Sequence, residues 1–273
     1  MAKKPAPEDA FYDNLTLGLI KTLANMPRVC NVSCEKRQPC DKAQVVNWEQ
    51  RHGVYLPEDM KKFYLSTDGF LLQWSYQYSP SDIRRVGYIQ FPHLMQITLL
   101  RENLDSTFLI QFSEQANTTA PHTSTAPSKD RWGHDTPVLT PKSKIFEISN
   151  INDVAKVCMV YESTVSIYPH IYLLELDSFR WQFLAETFSE YLRMSIGHLG
   201  LPYWELCFAS CGLPSWTEQL FLLLAPHLLE EHEPRRSRII NPVPEHPCNV
   251  IDPTIFRAKP KGNSKQSTVG KHK

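Results

Sequence analysis

The segment from Asn47 to Trp74, "NWEQRHGVYLPEDMKKFYLSTDGFLLQW", decides the fold of this chain. Pro57 suits the first position of a helix, and the acids Glu58 and Asp59 favour the positive end of the helix dipole. Gly69 is predicted to stop this helix, because glycine adopts the left-handed conformation that other residues resist. The stretch "LQWSYQY" then alternates apolar and polar residues, which predicts a half-buried strand.

The sequence on either side of this segment predicts further helices and strands. Residues 1–10 are polar and contain two prolines, so this end is expected to be disordered. Asp13 caps a predicted helix that ends at Pro27, and residues 28–33 form a predicted short strand. After a turn at "SPSD", strands are predicted at "VGYIQF", "KIFEIS", "AKVCMVY", "IYLLEL" and "RWQFLA".

Capping patterns predict helices near the C-terminal end of the domain. The sequence "TFSE" is a capping box with Thr187 at the cap and Glu190 three residues later, and its helix ends near Gly200. A short helix is predicted from Pro202 to Cys211. A second capping box, "SWTE", begins the next helix at Ser215. The apolar residues of that helix are Trp216, Leu220, Leu223 and Leu224.

This order of elements predicts an α+β domain over residues 11–230, with a mostly antiparallel sheet and helices packed against one face and one end. Residues 113–143 are rich in Thr, Ser and Pro and are expected to form a flexible surface loop. Residues 231–273 contain six prolines, and after Asp252 their only charges are basic. We therefore expect a disordered basic tail there.

Composition and charge argue against two classes of protein. Of the 273 residues, 42% are apolar and 21% are charged, which is enough for a packed core. Lys plus Arg and Asp plus Glu both number 29, whereas a nucleic-acid-binding protein needs a broad basic face. The apolar run from Leu220 to Leu229 contains Pro226 and is too short for a membrane span. With no signal-peptide pattern, the protein is expected to be cytoplasmic, without a nucleic-acid or membrane partner.

The seven cysteines are expected to be free thiols, because their number is odd and they fit no secreted disulfide framework. Cys30, Cys34 and Cys40 come nearest to a metal cluster, but neither a second cysteine pair nor a His-x3-5-His partner accompanies them. Cys207 and Cys211 share one face of a predicted helix. For both groups, buried or inert thiols are preferred to a metal site.

We find no known catalytic motif along the chain. The phosphate-binding loop, the dinucleotide-binding glycine pattern, the nucleophile elbow and H-E-x-x-H are all missing. His198 follows a predicted helix and is interpreted as a capping residue. Trp132, in the polar loop, is expected to be exposed, whereas the tryptophans on apolar stripes are expected in the core. Those tryptophans are Trp48, Trp74, Trp181, Trp204 and Trp216. The sequence thus predicts no catalytic, cofactor-binding or metal-binding residue.

The fold-deciding segment resembles the SUKH superfamily, a fold shared by many bacterial immunity proteins and a yeast cell-wall regulator. The resemblance rests on Trp48, Leu56, Pro57, Phe63, Tyr64, Gly69 and Trp74. It implies one curved sheet with helices around it. Because members of this superfamily are mostly binding modules and adapters, it also implies that the protein is not an enzyme.

Three segments resemble a family of non-catalytic subunits of the tubulin polyglutamylase complex. They are the segment from Asn47 to Trp74, "GHLGLPYW" and "IDPTIF". This resemblance extends over residues 11–260, apart from the loop at residues 113–143. It implies a scaffold for a separate tubulin-tyrosine-ligase-like catalytic subunit, with tubulin and microtubules as further partners. It also implies a location on the cytoskeleton, at the centrosome or ciliary base. A free-standing enzyme or small-ligand-binding protein with an unrecognised site is the alternative.

The basic tail contains two candidate docking elements. The apolar residues are Ile251, Ile255 and Phe256, and the basic residues are Lys259, Lys261 and Lys265. Large apolar residues in a polar segment indicate either an anchor for a partner subunit or a piece of chain that folds back onto the domain. The lysines are suited to attracting the acidic tails of tubulin, and solubility is the alternative explanation for them.

Overall fold

The structure, a computed structural model, describes residues 7–102, 128–163 and 168–232, and its strands form two antiparallel sheets. The strands are β1 Val29–Glu35, β2 Phe70–Ser79, β3 Asp82–Phe91, β4 Lys144–Ile151, β5 Ala155–Tyr161, β6 His170–Glu175 and β7 Trp181–Ala185. One sheet has the order β1–β2–β3 and the other β4–β5–β6–β7. The predicted α+β class is confirmed, but the expected single curved sheet is divided in two. Alternation identifies strands without saying which of them exchange hydrogen bonds.

Helices cover these sheets. They are α1 Pro7–Leu15, α2 Leu19–Asn25, α3 Lys42–His52, α4 Glu58–Tyr64, α5 Phe188–Gly197, α6 Ser215–Leu224 and α7 Pro226–His232. Short 3-10 turns lie at Leu94–Gln96, Leu100–Glu102 and Trp204–Cys207. Within the described ranges, none of the helices has the length and apolar character that crossing a bilayer requires.

The single helix predicted at the N-terminal end is two short helices. α1 begins at Pro7, inside the segment expected to be disordered, and Asp13 lies within this helix instead of capping it. Between the two helices, Leu17 and Gly18 both have positive φ angles, 54° and 78°. Two consecutive left-handed residues interrupt a helix, although the apolar spacing of the sequence continues through them.

Helix α3, which carries Trp48, has no counterpart among the sequence predictions. Asp41 caps it, and the Gln44 side chain accepts a hydrogen bond from the Asp41 N–H at 2.7 Å. The buried residues of this helix are Val45, Trp48 and His52. The capping box at Asp41 was a readable signal for the start of α3.

The helix boundaries around Gly69 also differ from the prediction. Pro57 is the cap of α4 and not its first residue, and the helix ends at Tyr64, five residues before Gly69. Gly69 does have a positive φ, 82°, and it leads into β2. A Cβ atom at this position would lie 2.7 Å from the carbonyl oxygens of both Phe91 and Pro92. Glycine is therefore required by the close approach of two backbones as well as by φ.

The C-terminal helices agree with the predictions only in part. Thr187 caps α5, and its side chain accepts from the Glu190 N–H at 3.1 Å, as predicted. The predicted helix from Pro202 to Cys211 is only a 3-10 turn. Ser215 is the first residue of α6 and Pro214 is its cap, so the second predicted capping box does not form.

One apolar core joins both sheets to the helices. Trp74 of β2, Phe146 of β4 and Trp48 of α3 belong to it. A smaller cluster around Cys158 of β5 lies on the other face of the four-stranded sheet. β5 is buried along its whole length, because both faces of its sheet are covered.

Candidate functional site

The residues that carry the fold-deciding pattern lie in the domain interior. The Trp48 indole N–H donates to the Ile97 carbonyl oxygen at 3.0 Å, and the Trp74 indole N–H donates to the Leu199 carbonyl oxygen at 2.9 Å. The remaining pattern residues are Leu56, Phe63, Tyr64 and Gly69, all buried, and Pro57, which is half-buried. Because nearly all of these residues are buried, they are part of the core and do not form a binding surface themselves.

The residue types of a catalytic triad meet at Asp68, but in the wrong order. The Asp68 carboxylate accepts from the Leu94 N–H at 2.8 Å and lies 3.0 Å from His93 Nδ1. Burial alone would raise the pKa of Asp68, but these hydrogen bonds and one from the Cys40 thiol lower it below its usual value. Burial and the adjacent Asp68 raise the pKa of Cys40 to about 12. Because the carboxylate lies between thiol and imidazole, the histidine does not activate a nucleophile here.

Glu175 is a buried carboxylate held by neutral donors. It accepts from the Ser178 hydroxyl at 3.0 Å, the Gln182 amide at 3.2 Å and the Ser210 N–H at 2.7 Å, and also from the Ser210 hydroxyl. These bonds tie β6 and β7 to the loop before α6, which is a structural role. In the part of the chain that the structure describes, no group of three or more His, Cys, Asp or Glu residues is arranged to hold a metal.

A narrow cleft opens where β3, β4 and α5 meet the chain that follows α5. Its volume is about 20 Å³, which admits a water molecule but not a nucleotide or a metabolite. We call it the Glu205 cleft. Its aromatic and acidic lining residues are Tyr88, Tyr191, Tyr203, Trp204 and Glu205.

A backbone contact fixes one wall of the Glu205 cleft. The Tyr88 N–H of β3 donates to the Gly200 carbonyl oxygen at 2.8 Å. Gly200 has a φ of 64°, and a Cβ atom there would lie 2.8 Å from the Tyr88 carbonyl oxygen. Tyr203, on the same stretch of chain, contacts Trp216 of α6 with 5.6 Å between the ring centroids. The cleft is therefore built by the segment that joins α5 to α6 as it lies against β3.

Glu205 is the acid that lines this cleft. It is 8% exposed, and the Tyr191 hydroxyl donates to its Oε1 at 3.1 Å. Burial raises the pKa of Glu205 to about 7. Burial also raises the pKa of Tyr88, with the charge of Glu205 as the next cause. Among the described residues, no cationic side chain forms an ion pair with Glu205.

The outer side of α6 is apolar and exposed. Trp216, Leu222 and Leu223 are 52%, 59% and 55% exposed, and we call them the α6 outer face. The buried residues of this helix are Thr217, Leu220 and Phe221. The prediction that Trp216 belongs to the core is therefore wrong. Of the residues predicted to be apolar and inward on this helix, Leu220 is buried, whereas Trp216 and Leu223 are exposed. Exposed apolar groups of this size mark candidate interaction surfaces.

The structure places the other predicted residues as follows. The tail residues 251–265 lie outside the described residues. His198 caps the end of α5, as predicted, with Nδ1 2.8 Å from the Met194 carbonyl oxygen. Trp132 is half-buried instead of exposed, with the Arg131 guanidinium 5.0 Å from its ring centroid. The cysteines in the described part of the chain are free thiols.

Residues 39–194 match the model of the SMI1/KNR4 family (SUKH-1), more than half of the chain, so the chain belongs to this family. The chain is also similar to tubulin polyglutamylase complex subunit 2 of several mammals. The Rattus norvegicus protein is 28% identical, over 96% of this chain and 87% of its own length. The Mus musculus protein is 29% identical, over 91% of this chain and 81% of its own length.

The Glu205 cleft has no counterpart in the sequence predictions. Its residues come from a strand, a helix and a turn that are far apart in the chain, so no local motif contains them. One signal was present: Glu205 is an acid in the otherwise apolar stretch "LPYWELCF". A lone acid in such a stretch indicates a buried carboxyl group with a perturbed pKa.

Proposed function

We propose that this protein is a non-catalytic scaffold or adapter subunit of a tubulin polyglutamylase complex. It supports the assembly, or the microtubule targeting, of a separate glutamate-ligase subunit. The observation that carries this proposal is the similarity, over 91–96% of the chain, to proteins named as subunit 2 of that complex. The proposed partners are the other subunits, including a tubulin-tyrosine-ligase-like catalytic one, and tubulin. The proposed location is the cytoplasmic cytoskeleton, at the centrosome or ciliary base.

The geometry of the described residues supports a role in binding rather than in chemistry. Ligation of glutamate with ATP requires a phosphate-binding loop, carboxylates for magnesium and a cleft for the nucleotide. The Glu205 cleft, at about 20 Å³, is too small for a nucleotide. By contrast, the α6 outer face offers exposed apolar area of the kind that protein interfaces bury.

Membership of the complex is tested by purifying the tagged full-length chain from cells and identifying the associated proteins by mass spectrometry. We expect the complex subunits, with the ligase among them. The pure chain, incubated with tubulin, glutamate and Mg-ATP, is expected to add no glutamate, whereas the whole complex serves as the positive control. Glutamylation by the pure chain above background would contradict the scaffold function.

The alternative function, a free-standing enzyme or small-ligand-binding protein, gives a different response to nucleotide. A ligand that binds the folded state raises the melting temperature in proportion to the logarithm of its concentration. A scaffold subunit is expected to show no change in melting temperature with Mg-ATP. A concentration-dependent rise would favour the alternative.

We also propose that the tail contains two docking elements with separate roles. The first, with Ile255 and Phe256 at its centre, anchors a partner subunit. The second, Lys259 to Lys265, attracts the acidic tails of tubulin. Support for both comes from the sequence, which places apolar and basic residues in adjacent parts of a proline-rich segment.

A further inference from the structure

Among the described residues, Glu205 and Glu175 are the buried acids, and they differ in the number of groups that compensate their charge. The Glu175 carboxylate accepts four hydrogen bonds from Ser178, Gln182 and Ser210. In contrast, the Glu205 carboxylate accepts one side-chain hydrogen bond within the described ranges, from the Tyr191 hydroxyl, and one from its own backbone. A buried carboxylate with so little compensation is stabilised either by taking up a proton or by binding a cation.

The walls of the Glu205 cleft are suited to a cation. Tyr88, Tyr191, Tyr203 and Trp204 all line it. The faces of aromatic rings carry partial negative charge and attract ammonium groups, most strongly when water is excluded. The Tyr191 and Trp204 rings pack against each other, with 5.6 Å between centroids, and Trp204 also stacks on His198, so the rings that remain for a cation are those of Tyr88 and Tyr203. A carboxylate among aromatic rings is the combination of groups that recognises an alkylammonium ion.

The size of the cleft restricts the kind of cation. A volume of about 20 Å³ accommodates a group as large as a water molecule, which an ammonium group matches. A planar guanidinium or a trimethylammonium group is larger. Tyr88, which lines the cleft, is 41% exposed, so one wall of the cleft extends to the protein surface. A lysine side chain, with a thin four-carbon stem and a compact charge, has the dimensions to enter.

We propose that the Glu205 cleft is a binding site for a primary ammonium group, that of a lysine side chain presented by a partner protein. The ammonium group pairs with the Glu205 carboxylate, and the stem passes between the rings of Tyr88 and Tyr203. The site goes beyond the proposed scaffold function and does not depend on it, because it is defined by the described residues alone.

Binding at this site is expected to strengthen as pH rises from 6 to 8. With its raised pKa of about 7, Glu205 is largely protonated at pH 6 and must release that proton to pair with a cation. The phenols of Tyr88 and Tyr191 stay neutral, since burial raises the pKa of each. From β4 only Ser149 and Ile151 line the cleft, and neither ionises.

Two further ionisable groups lie beside the cleft. Burial, with the charge of Glu205, raises the pKa of Cys207 to about 12, so this thiol stays protonated between pH 6 and 8. His198 stacks on Trp204 with 4.6 Å between the ring centroids. His198 is not among the residues that line the cleft.

In the test, the full-length chain is titrated with Nα-acetyl-lysine N-methylamide as the probe. Binding is monitored by the NMR signal of the Trp204 indole. We expect saturable binding at pH 8 that weakens at pH 6. The norleucine analogue, which has the stem without the ammonium group, is expected not to bind, and the arginine analogue to bind more weakly. Methylammonium, which lacks the stem that contacts the rings, is expected to bind more weakly than the lysine probe. Equal binding of the two would indicate a site for a small free amine.

Two variants connect the binding to the cleft. Glu205→Gln keeps the shape and removes the charge, and should weaken lysine-probe binding about tenfold or more, as loss of a charged hydrogen bond does. Tyr88→Ala should also weaken binding, whereas Tyr78→Ala should not, although both tyrosines are 41% exposed on the same sheet. Absence of binding at pH 8, equal binding of the norleucine analogue, or unchanged binding by both Glu205→Gln and Tyr88→Ala would overturn the proposal. If Glu205→Gln fails to fold, Tyr88→Ala decides.

Discussion

At the scale of single residues, Glu205 links the stability of the domain to pH. In an unfolded chain a glutamate ionises near pH 4.3, whereas burial raises the pKa of Glu205 to about 7 in the folded protein. Between these pH values the folded protein holds a proton that the unfolded chain has released. The free energy of unfolding therefore falls as pH rises through this window, and the loss is complete above pH 7.

The variant Glu205→Gln should remove this pH dependence. We expect it to be about 3–4 kcal/mol more stable than the natural chain at pH 8 and nearly equal to it at pH 4. Urea unfolding at the two pH values measures the difference. Glu218→Gln, at an exposed position of α6, is the control and should follow the natural chain at both. Parallel pH profiles for Glu205→Gln and the natural chain would contradict the raised pKa.

Gly69 and Gly18 allow two reasons for which a position requires glycine to be separated. Both have positive φ, 82° and 78°, but a Cβ at Gly69 would meet two carbonyl oxygens, whereas a Cβ at Gly18 would have no atom of the described residues within 4 Å apart from its chain neighbours. Gly18→Val should therefore lose only the conformational strain, about 1–2 kcal/mol. Gly69→Val should lose clearly more, because the backbone at Phe91 must also move. Equal losses in chemical denaturation would show that the contact at Gly69 relaxes freely.

At the scale of elements, α6 packs with a side that its sequence does not reveal. Leu220 and Phe221 face the core, whereas Leu222 and Leu223 are exposed. The same substitution tests both sides of the helix. Leu220→Ala should cost about 2–5 kcal/mol of unfolding free energy. Leu223→Ala should stay within about 0.5 kcal/mol, as surface changes do. Melting temperatures of the two variants measure this, and a large loss in Leu223→Ala would mean that the α6 outer face is packed.

All seven strands in the described ranges, but only some of the helices, were predicted from sequence. β2 follows from alternation, because a half-buried strand repeats every two residues regardless of its partners, whereas β5 is a short continuous apolar run that is buried on both faces. α6 was placed correctly, but its inward face could not be predicted, because the five consecutive apolar residues from Leu220 to Leu224 allow several inward faces. The turn at Trp204–Cys207 has helical spacing over too few residues to separate a 3-10 turn from a helix.

The Glu205 cleft was beyond prediction for a different reason. It depends on the backbone hydrogen bond between Tyr88 and Gly200, which are 112 residues apart in the sequence and share no periodic pattern. Only tertiary structure brings the phenol of a strand beside the carboxylate of a turn. The buried core, in contrast, could be anticipated, since Trp48 and Trp74 lie in apolar patterns that already indicate burial.

At the scale of the whole molecule, the two proposed docking elements of the tail should respond differently to salt. Replacing Ile255 and Phe256 with Ala should weaken assembly with the partner subunits, with little dependence on ionic strength. Replacing Lys259, Lys261 and Lys265 with Gln should leave assembly intact and weaken microtubule association, most clearly at low salt. Co-purification and microtubule sedimentation measure the two effects. If removal of residues 245–273 changes neither, the tail has no docking role.

The hydrogen bond from Trp74 to Leu199 has a consequence for synthesis on the ribosome. Its two residues are 125 positions apart in the chain. At elongation rates of about 5–20 residues per second, roughly 6–25 s pass between the translation of the indole and that of its acceptor. Until the segment that contains Leu199 has been made, the Tyr88 N–H of β3 lacks the Gly200 carbonyl that it pairs with in the folded protein, and an unpaired strand edge can pair with other nascent chains. A chaperone that holds emerging strands is therefore expected to matter most for this protein before α5 has been made.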